Sequence, residues 1–306
     1  VTRVDQASVQ AAVAQNRQMN NRGKARGNKG EVGATAERDP VIHSWNDNGF
    51  TDLQTQGRTN NGDMDPPGKR VKKPEVTLPN GAKYTGEWVD GKRDGFGIQV
   101  WVDGSRYEGQ WSHDKANGDG KLFHADGDIY EGGWMNDKAH GYGKYTHANG
   151  ATYEGDWKED KQDGRGVETW PDGAKYEGSY RDGKKHGQGI LHFADKSVYE
   201  GDFLHNEISG KGIYRWNDGK KYDGEWENNK MHGFGSLEWP DGKRYEGEFR
   251  DDKRHGMGRF QWKDGKVYDG PWEKGKQHGI GTFIGHDGRH RKGEWINGRR
   301  NKWIDE

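Results

Sequence analysis

One tyrosine recurs every 23 residues along most of this chain. Tyr84, Tyr107, Tyr130, Tyr153, Tyr176, Tyr199, Tyr222, Tyr245 and Tyr268 keep that interval without an insertion. A glycine stands two residues after each, from Gly86 to Gly270. A second ring stands four residues after each: Trp88, Trp111, Trp134, Trp157, Tyr180, Phe203, Trp226, Phe249 and Trp272. A Gly-x-Gly follows at the same interval, from Gly95/Gly97 to Gly279/Gly281. A period of this kind means a stack of identical supersecondary units, and it has to be recognised before any local assignment is made.

Within a unit, Tyr-x-Gly-x-Trp alternates at period two, which is strand chemistry. Tyr84, Gly86 and Trp88 therefore face one way, and Thr85 and Glu87 the other. Asp90-Gly91 and Asp103-Gly104 suit tight turns that need positive φ. Each unit reads as one β-hairpin, and the next continues an antiparallel meander. Composition agrees. Leu, Ile, Val and Phe together make up about 13% of the chain, too few for a thick aliphatic core, whereas it holds 51 glycines, 14 tryptophans and 13 tyrosines. Glycines inside strands mark close approach of another group. Both glycines of each Gly-x-Gly are expected to lie under a ring, as in aromatic rescue of strand glycines.

These residues resemble the membrane occupation and recognition nexus (MORN) repeat, with its pattern Tyr-x-Gly-x-Trp through Gly-x-Gly. Tyr84-Thr-Gly86-Glu-Trp88 through Gly95-Phe-Gly97 carries it, as does Tyr245-Glu-Gly247-Glu-Phe249 through Gly256-Met-Gly258. The resemblance implies an all-β fold: an elongated, single-layer, twisted antiparallel meander with a groove on its aromatic side. Such arrays occur in scaffolds, ciliary spoke heads, membrane tethers and certain enzymes, so the resemblance leaves function open. Departures are local. Lys196 replaces a turn glycine, Ser209 stands where His is common, and Arg291 replaces a tenth tyrosine. The partial tenth unit is expected to fray or to cap the array.

The division expected is an extended arm over residues 1–80 and a repeat array over residues 81–306. In the arm, Asp5 could cap a short helix over 5–17, with Val9 and Val13 on one stripe too thin to fold alone. Breakers such as Asn60-Asn61-Gly62 and Pro66-Pro67-Gly68 read as linker. Val41, Ile42, Trp45, Phe50 and Leu53 are its expected partner-binding anchors, because an arm without a core orders only against something else.

Catalytic and metal readings find little support. No cysteine is present, which removes thiol catalysis and zinc knuckles. His140, His186, His232, His255 and His278 share one repeat position. Copies one hairpin apart, roughly 10 Å, cannot share one ion, so turn-facing polar residues are expected. The acidic residues after each tyrosine, Glu108 to Asp269, read as a solvated edge balanced by cations in the turns. The Gly-x-Gly motifs lack the Lys-Ser/Thr and the helix of a phosphate loop. Formal net charge is −1, and the array itself is slightly acidic. Nucleic-acid binding is not expected, and membrane-surface contact is at most weak. Lys69-Arg70-Val71-Lys72-Lys73, the one basic cluster, reads as solvated linker.

The expectation is a non-enzymatic scaffold without cofactor or metal, a peripheral subunit of a large complex that binds other protein subunits through its sheet and arm. The alternatives are a phospholipid-binding tether and a radial-spoke-head-like ciliary protein. No apolar run reaches the ~18 residues of a membrane span, and no signal-peptide core is visible. A start at Val1 fits a trimmed sequence or a mature chain freed of a targeting segment. That favours an intracellular, eukaryotic, organelle-targeted protein of plastid or mitochondrion over a cytoskeletal or ciliary one.

Overall fold

The computed structural model describes residues 66–304. The expected helix over 5–17 and the anchors Val41, Ile42, Trp45, Phe50 and Leu53 lie outside those residues. The described residues form strands and turns only, and the strands follow one another as an antiparallel meander. The chain divides into two units. In the N-terminal unit the strands are β1 (Val71–Thr77), β2 (Lys83–Val89), β3 (Lys92–Val100), β4 (Arg106–Ser112), β5 (Lys115–Phe123), β6 (Ile129–Met135), β7 (Lys138–Thr146), β8 (Thr152–Lys158) and β9 (Lys161–Thr169). β10 (Lys175–Arg181) is divided between the units, since residues 180–183 count with the N-terminal one. The C-terminal unit continues with β11 (Lys184–His192), β12 (Val198–Leu204), β13 (Glu207–Arg215), β14 (Lys221–Glu227), β15 (Lys230–Glu238), β16 (Arg244–Arg250) and β17 (Lys253–Gln261). It ends with β18 (Val267–Glu273), β19 (Lys276–Gln277), β20 (Gly279–Ile284), β21 (His290–Ile296) and β22 (Arg299–Trp303).

The sheet starts earlier than the expected boundary at residue 80. β1 pairs with β2, Val71 opposite Trp88 and Lys73 opposite Gly86. The basic cluster is thus largely strand rather than linker. Arg70 bonds the Asp94 carboxylate at 2.6 Å, and the Lys73 ammonium stands 5.6 Å from the centre of the Trp88 ring.

One face of each unit is its core. Tyr84, Tyr130, Tyr176, Tyr199, Tyr222, Tyr245 and Tyr268 are fully buried, and Trp88, Trp111, Trp134, Trp157, Trp226 and Trp272 nearly so. The glycines make this possible. Gly86 pairs with Gly97, Gly97 with Gly109, and Gly109 with Gly120, so a side-chain-free row crosses the strands. Each tyrosine ring lies on that row. A Cβ on Gly97 would sit inside van der Waals contact of the Tyr84 ring. The hydroxyl of Tyr84 donates to the Glu87 carbonyl at 3.1 Å, and Tyr107 does the same to Gln110 at 3.0 Å. The Trp111 Nε1–H donates to the Gly97 carbonyl of the preceding unit at 3.2 Å, and Trp157 to Gly143 at 3.1 Å. Trp88 has no preceding Gly-x-Gly strand, and its Nε1 is buried without an acceptor.

Rings then interlock edge to face. Tyr107 is 5.1 Å from Trp111 and 5.2 Å from Trp134, and Tyr130 is 5.2 Å from both Trp134 and Trp157. In the C-terminal unit Tyr245 repeats this with Phe249 at 5.1 Å and Trp272 at 5.3 Å. Each T-shaped pair adds about 0.5–1.5 kcal/mol beyond burial. The rings therefore form the core of each unit.

The two glycines of Gly-x-Gly have different jobs, against the expectation that both lie under rings. Gly97 does. Gly95 has φ of +103° and sits in a bulge where Glu87 alone faces Asp94, Gly95 and Phe96. A bulge leaves amides unpaired, and the Glu87 carboxylate accepts the Phe96 N–H at 2.8 Å. Asp156 does the same for Arg165, and Glu248 for Met257.

The turns are of two kinds. Asp90 and Gly91 both have positive φ, 48° and 77°, as a two-residue hairpin turn of type I′ needs. Asp103 does not share that conformation with Gly104. Its carboxylate accepts the Ser105 N–H at 2.9 Å, and Gly104 alone has positive φ. Lys196 takes the same position at φ +72°. The tenth unit is a paired hairpin, β21 with β22, in which the Arg291 guanidinium lies 3.9 Å from the centre of the Trp303 ring.

The short turns also tie consecutive units. Asp160 donates its N–H to the Ala139 carbonyl at 3.0 Å, and its carboxylate accepts the Ala139 N–H at 2.8 Å. Asn206 and Asn229 make the carboxamide version with Lys185 and Ile208, both at 2.8 Å. Burial pushes the Asp160 and Asp252 carboxyls up to about 6, and the bonds from Ala139 and Met231 only partly offset it. A raised carboxylate pKa means the native state binds protons more tightly than the unfolded chain. Stability then falls as pH rises from about 4 through 6. Asp160→Asn keeps the acceptor and removes the buried charge. It should stabilise the protein by about 1–2 kcal/mol at pH 7, a gain that fades by about pH 4. Denaturant unfolding of both proteins from pH 4 to 7 checks this, and a difference independent of pH would contradict it.

Candidate interaction surface

With the aromatic face used as core, the opposite strand face meets solvent. It carries the residue after Tyr, the residue before Trp, and the central residue of Gly-x-Gly. The acidic ladder lies here, on the solvated sheet face. Its cations come from strand residues and not from the turns, some on the same strand and some across to the next: Lys121 pairs with Glu131 at 2.8 Å, Lys144 with Glu154 at 3.5 Å and Arg259 with Asp269 at 3.7 Å. These three are also cross-strand Cα partner pairs.

Of the histidine row, His278 is the member bonded to a turn, and the Nδ1 atoms of His140 and His186 are buried without a hydrogen-bond partner. His278 lies beside the bulge, and its Nδ1 faces the Asn297 N–H of the next hairpin turn at 3.5 Å. Asp94, Asn117 and Asp163 occupy the same repeat position and accept the equivalent turn amides of His113, Asn136 and Asp182. No group of three potential metal ligands occurs among the described residues.

One cluster has the look of acid–base machinery. The Asp128 carboxylate accepts the Tyr145 hydroxyl at 2.7 Å and the Ala148 N–H at 2.8 Å, with His147 Nδ1 at 3.1 Å. Burial alone would raise its pKa, but the bonds from His147, Ala148 and Tyr145 outweigh burial and hold it at about 2. Ser105 and Ser197, at the same repeat position, accept the amides of Ala125 and Asn217. Asp128 is therefore the strongest copy of a link between units, and its partners hold it closed.

The feature that sequence reasoning missed is the central residue of Gly-x-Gly. The bulge pushes it out of the sheet. Phe96, Tyr142, Phe234, Met257 and Ile280 stand there, 56%, 64%, 55%, 56% and 60% exposed. In the N-terminal unit Asp119 separates the two apolar members. A shallow depression of about 380 Å³ lies between Phe96, Glu108, Asp119, Lys121 and Glu131. In the C-terminal unit three consecutive repeats are apolar, which makes a stripe. Reading the x of each Gly-x-Gly as its own series, and not as filler between glycines, would have found it.

The family model of the MORN repeat matches nine consecutive stretches, from residues 84–106 to residues 268–288. No curated protein matches the chain. Among solved structures, the TCP10 domain of Danio rerio CPAP, in complex with a peptide of Danio rerio STIL, is similar at 16% identity. That match covers 78% of this chain and 100% of the other, with a TM-score of 0.41. The TCP domain of Drosophila melanogaster SAS-4 (dCPAP), in complex with a proline-rich motif of Ana2 (dSTIL), is similar at 19% identity. It covers 58% of this chain and 90% of the other, with a TM-score of 0.33.

Proposed function

The chain belongs to the MORN-repeat family, and from that premise we propose that it is a non-enzymatic scaffold, a peripheral subunit that docks other proteins on its outer strand face. The observation that carries this reading is the division of labour between the faces. The aromatic side is filled by its own rings, while the bulges raise large apolar residues on the other side at repeat spacing. Exposed apolar residues set in a regular row, rimmed by polar side chains, mark interaction surfaces. The ion pairs around them are exposed and contribute little stability. In the same proposal residues 1–60, with Trp45 and Phe50 as anchors, add a second contact to the assembly, and the assembly sits inside an organelle.

Purification of the full-length protein from its native cells under mild conditions tests the reading. Stoichiometric protein partners are expected. A chain lacking residues 1–60 should keep its unfolding transition but lose at least one of those partners. A protein recovered alone, or one floating with liposomes in place of partners, would overturn it.

A further inference from the structure

The stripe on the C-terminal unit constrains what can sit on it. Phe234, Met257 and Ile280 recur once per hairpin, and two strand spacings make roughly 10 Å. Between them, on the intervening strands, lie Glu248 opposite Phe234, Pro271 opposite Met257 and Glu294 opposite Ile280. The line thus alternates apolar side chains with carboxylates, and Pro271 breaks the alternation. The neighbouring row of acids is neutralised within the protein: Lys221 pairs with Asp223, Arg244 with Glu246 and Arg259 with Asp269. Glu225, which has Lys211 as its cross-strand neighbour, and Glu248 stand at the Phe234 end of the stripe, and neither makes an ion pair within 4 Å among the described residues. Glu248 accepts the Met257 N–H with one oxygen and keeps its charge exposed.

Building on the scaffold reading, we propose that this stripe receives a basic amphipathic α-helix of a partner protein, lying across strands β14 to β21. The spacing selects a helix. Seven helical residues advance about 10.5 Å, so apolar residues at i, i+7 and i+14 fall on the three protrusions. An extended segment needs three residues for about 10 Å, and every third residue of a strand changes face. The charges select the sign. Lysine or arginine at i−4 and i+4 falls half a repeat to either side of the Phe234 contact, where Glu225 and Glu248 stand on β14 and β16. A second copy of this face would set carboxylate against carboxylate, and an anionic bilayer would be repelled for the same reason.

Fluorescence anisotropy on the full-length protein tests the proposal. The probe is a synthetic alanine-rich helix of about three heptads, with leucine at i, i+7 and i+14 and lysine at i−4 and i+4. Its controls are a scrambled peptide of equal composition, a version with glutamate for lysine, and a peptide of residues 1–30 of this chain. The lysine helix is expected to bind best and to weaken at high salt. Met257→Glu should weaken it at least tenfold, whereas Met135→Glu, outside the stripe, should not. Glu225→Lys should shift preference toward the glutamate helix. All three variants change exposed side chains, and matching thermal transitions would exclude misfolding. Absence of binding, equal binding of the scrambled peptide, or indifference to Met257→Glu would overturn the proposal. Tight binding of the 1–30 peptide with the same Met257 dependence would also overturn it, because the occupant would then be the chain's own segment. The native purification above is independent of these outcomes, so the scaffold reading can stand if this one falls.

Discussion

Gly155→Ala should destabilise the protein by about 3 kcal/mol, near the upper end for overpacking by a single methyl group. A Cβ there would meet the Arg165 carbonyl oxygen, the Gly166 Cα at 2.5 Å and the Tyr153 hydroxyl at 2.8 Å. Two of these are backbone atoms of the paired strand, so no side-chain rotation relieves the clash. Gly173→Ala is the control. That glycine has φ of +88° but open space around it, so only backbone strain opposes the change, about 1 kcal/mol. Urea unfolding of the two variants measures both. Equal losses would mean that the glycine row serves turn geometry and not the seating of the rings.

Trp157→Ala should cost about 3–5 kcal/mol, as for other large buried rings. The indole is 3% exposed, stands 5.2 Å from Tyr130 and 5.1 Å from Tyr153, and donates to the Gly143 carbonyl at 3.1 Å. Truncation removes contacts with two repeats at once and the bond to the Gly143 carbonyl, so the unfolding transition should move for the whole N-terminal unit. Glu154 is on the opposite face of the same strand and forms only an exposed pair with Lys144 and a bond from Tyr142. Glu154→Ala should cost less than about 0.5 kcal/mol. A comparable loss from the two substitutions would reject the assignment of faces.

Those assignments came from period alone. Alternation in Tyr-x-Gly-x-Trp fixes which side chains share a face, because Cβ atoms alternate across any strand. The 23-residue recurrence sets the same residues side by side in every unit. What period cannot register is a local break in it. The bulge that sets one residue, Glu87, against three, Asp94 to Phe96, is written in the same glycines that mark the ring contact. Gly95 and Gly97 therefore looked equivalent. The same blindness hid the stripe, since Phe234, Met257 and Ile280 project only because the bulge turns them out.

Electrostatic links between units were illegible for a different reason. The Asp160 carboxylate reaches back 21 residues to the Ala139 amide. Nothing in an Asp-Gly or Glu-Asp turn announces a partner one unit away. Aspartate there reads simply as a residue tolerant of positive φ. It was the register of paired hairpins, with turns stacked along one edge, that gave it a second role. β1 escaped notice because Val71-Lys-Lys-Pro-Glu-Val-Thr77 lacks the tyrosine and the glycines of the repeat, yet it pairs along β2 as an edge strand with its proline at an irregularity.

The central claim is that the aromatic face is spent on the fold and the outer face does the binding. Hydroxyl-radical footprinting of the native assembly against the isolated full-length protein tests it most directly. Phe234 and Met257, 55% and 56% exposed, should oxidise readily in the isolated protein and be protected in the assembly. Met231, 3% exposed on the core side, should stay unreactive in both. Phe234 and Met257 remaining as reactive in the assembly as in the isolated protein, with protection confined to other surfaces, would contradict the account.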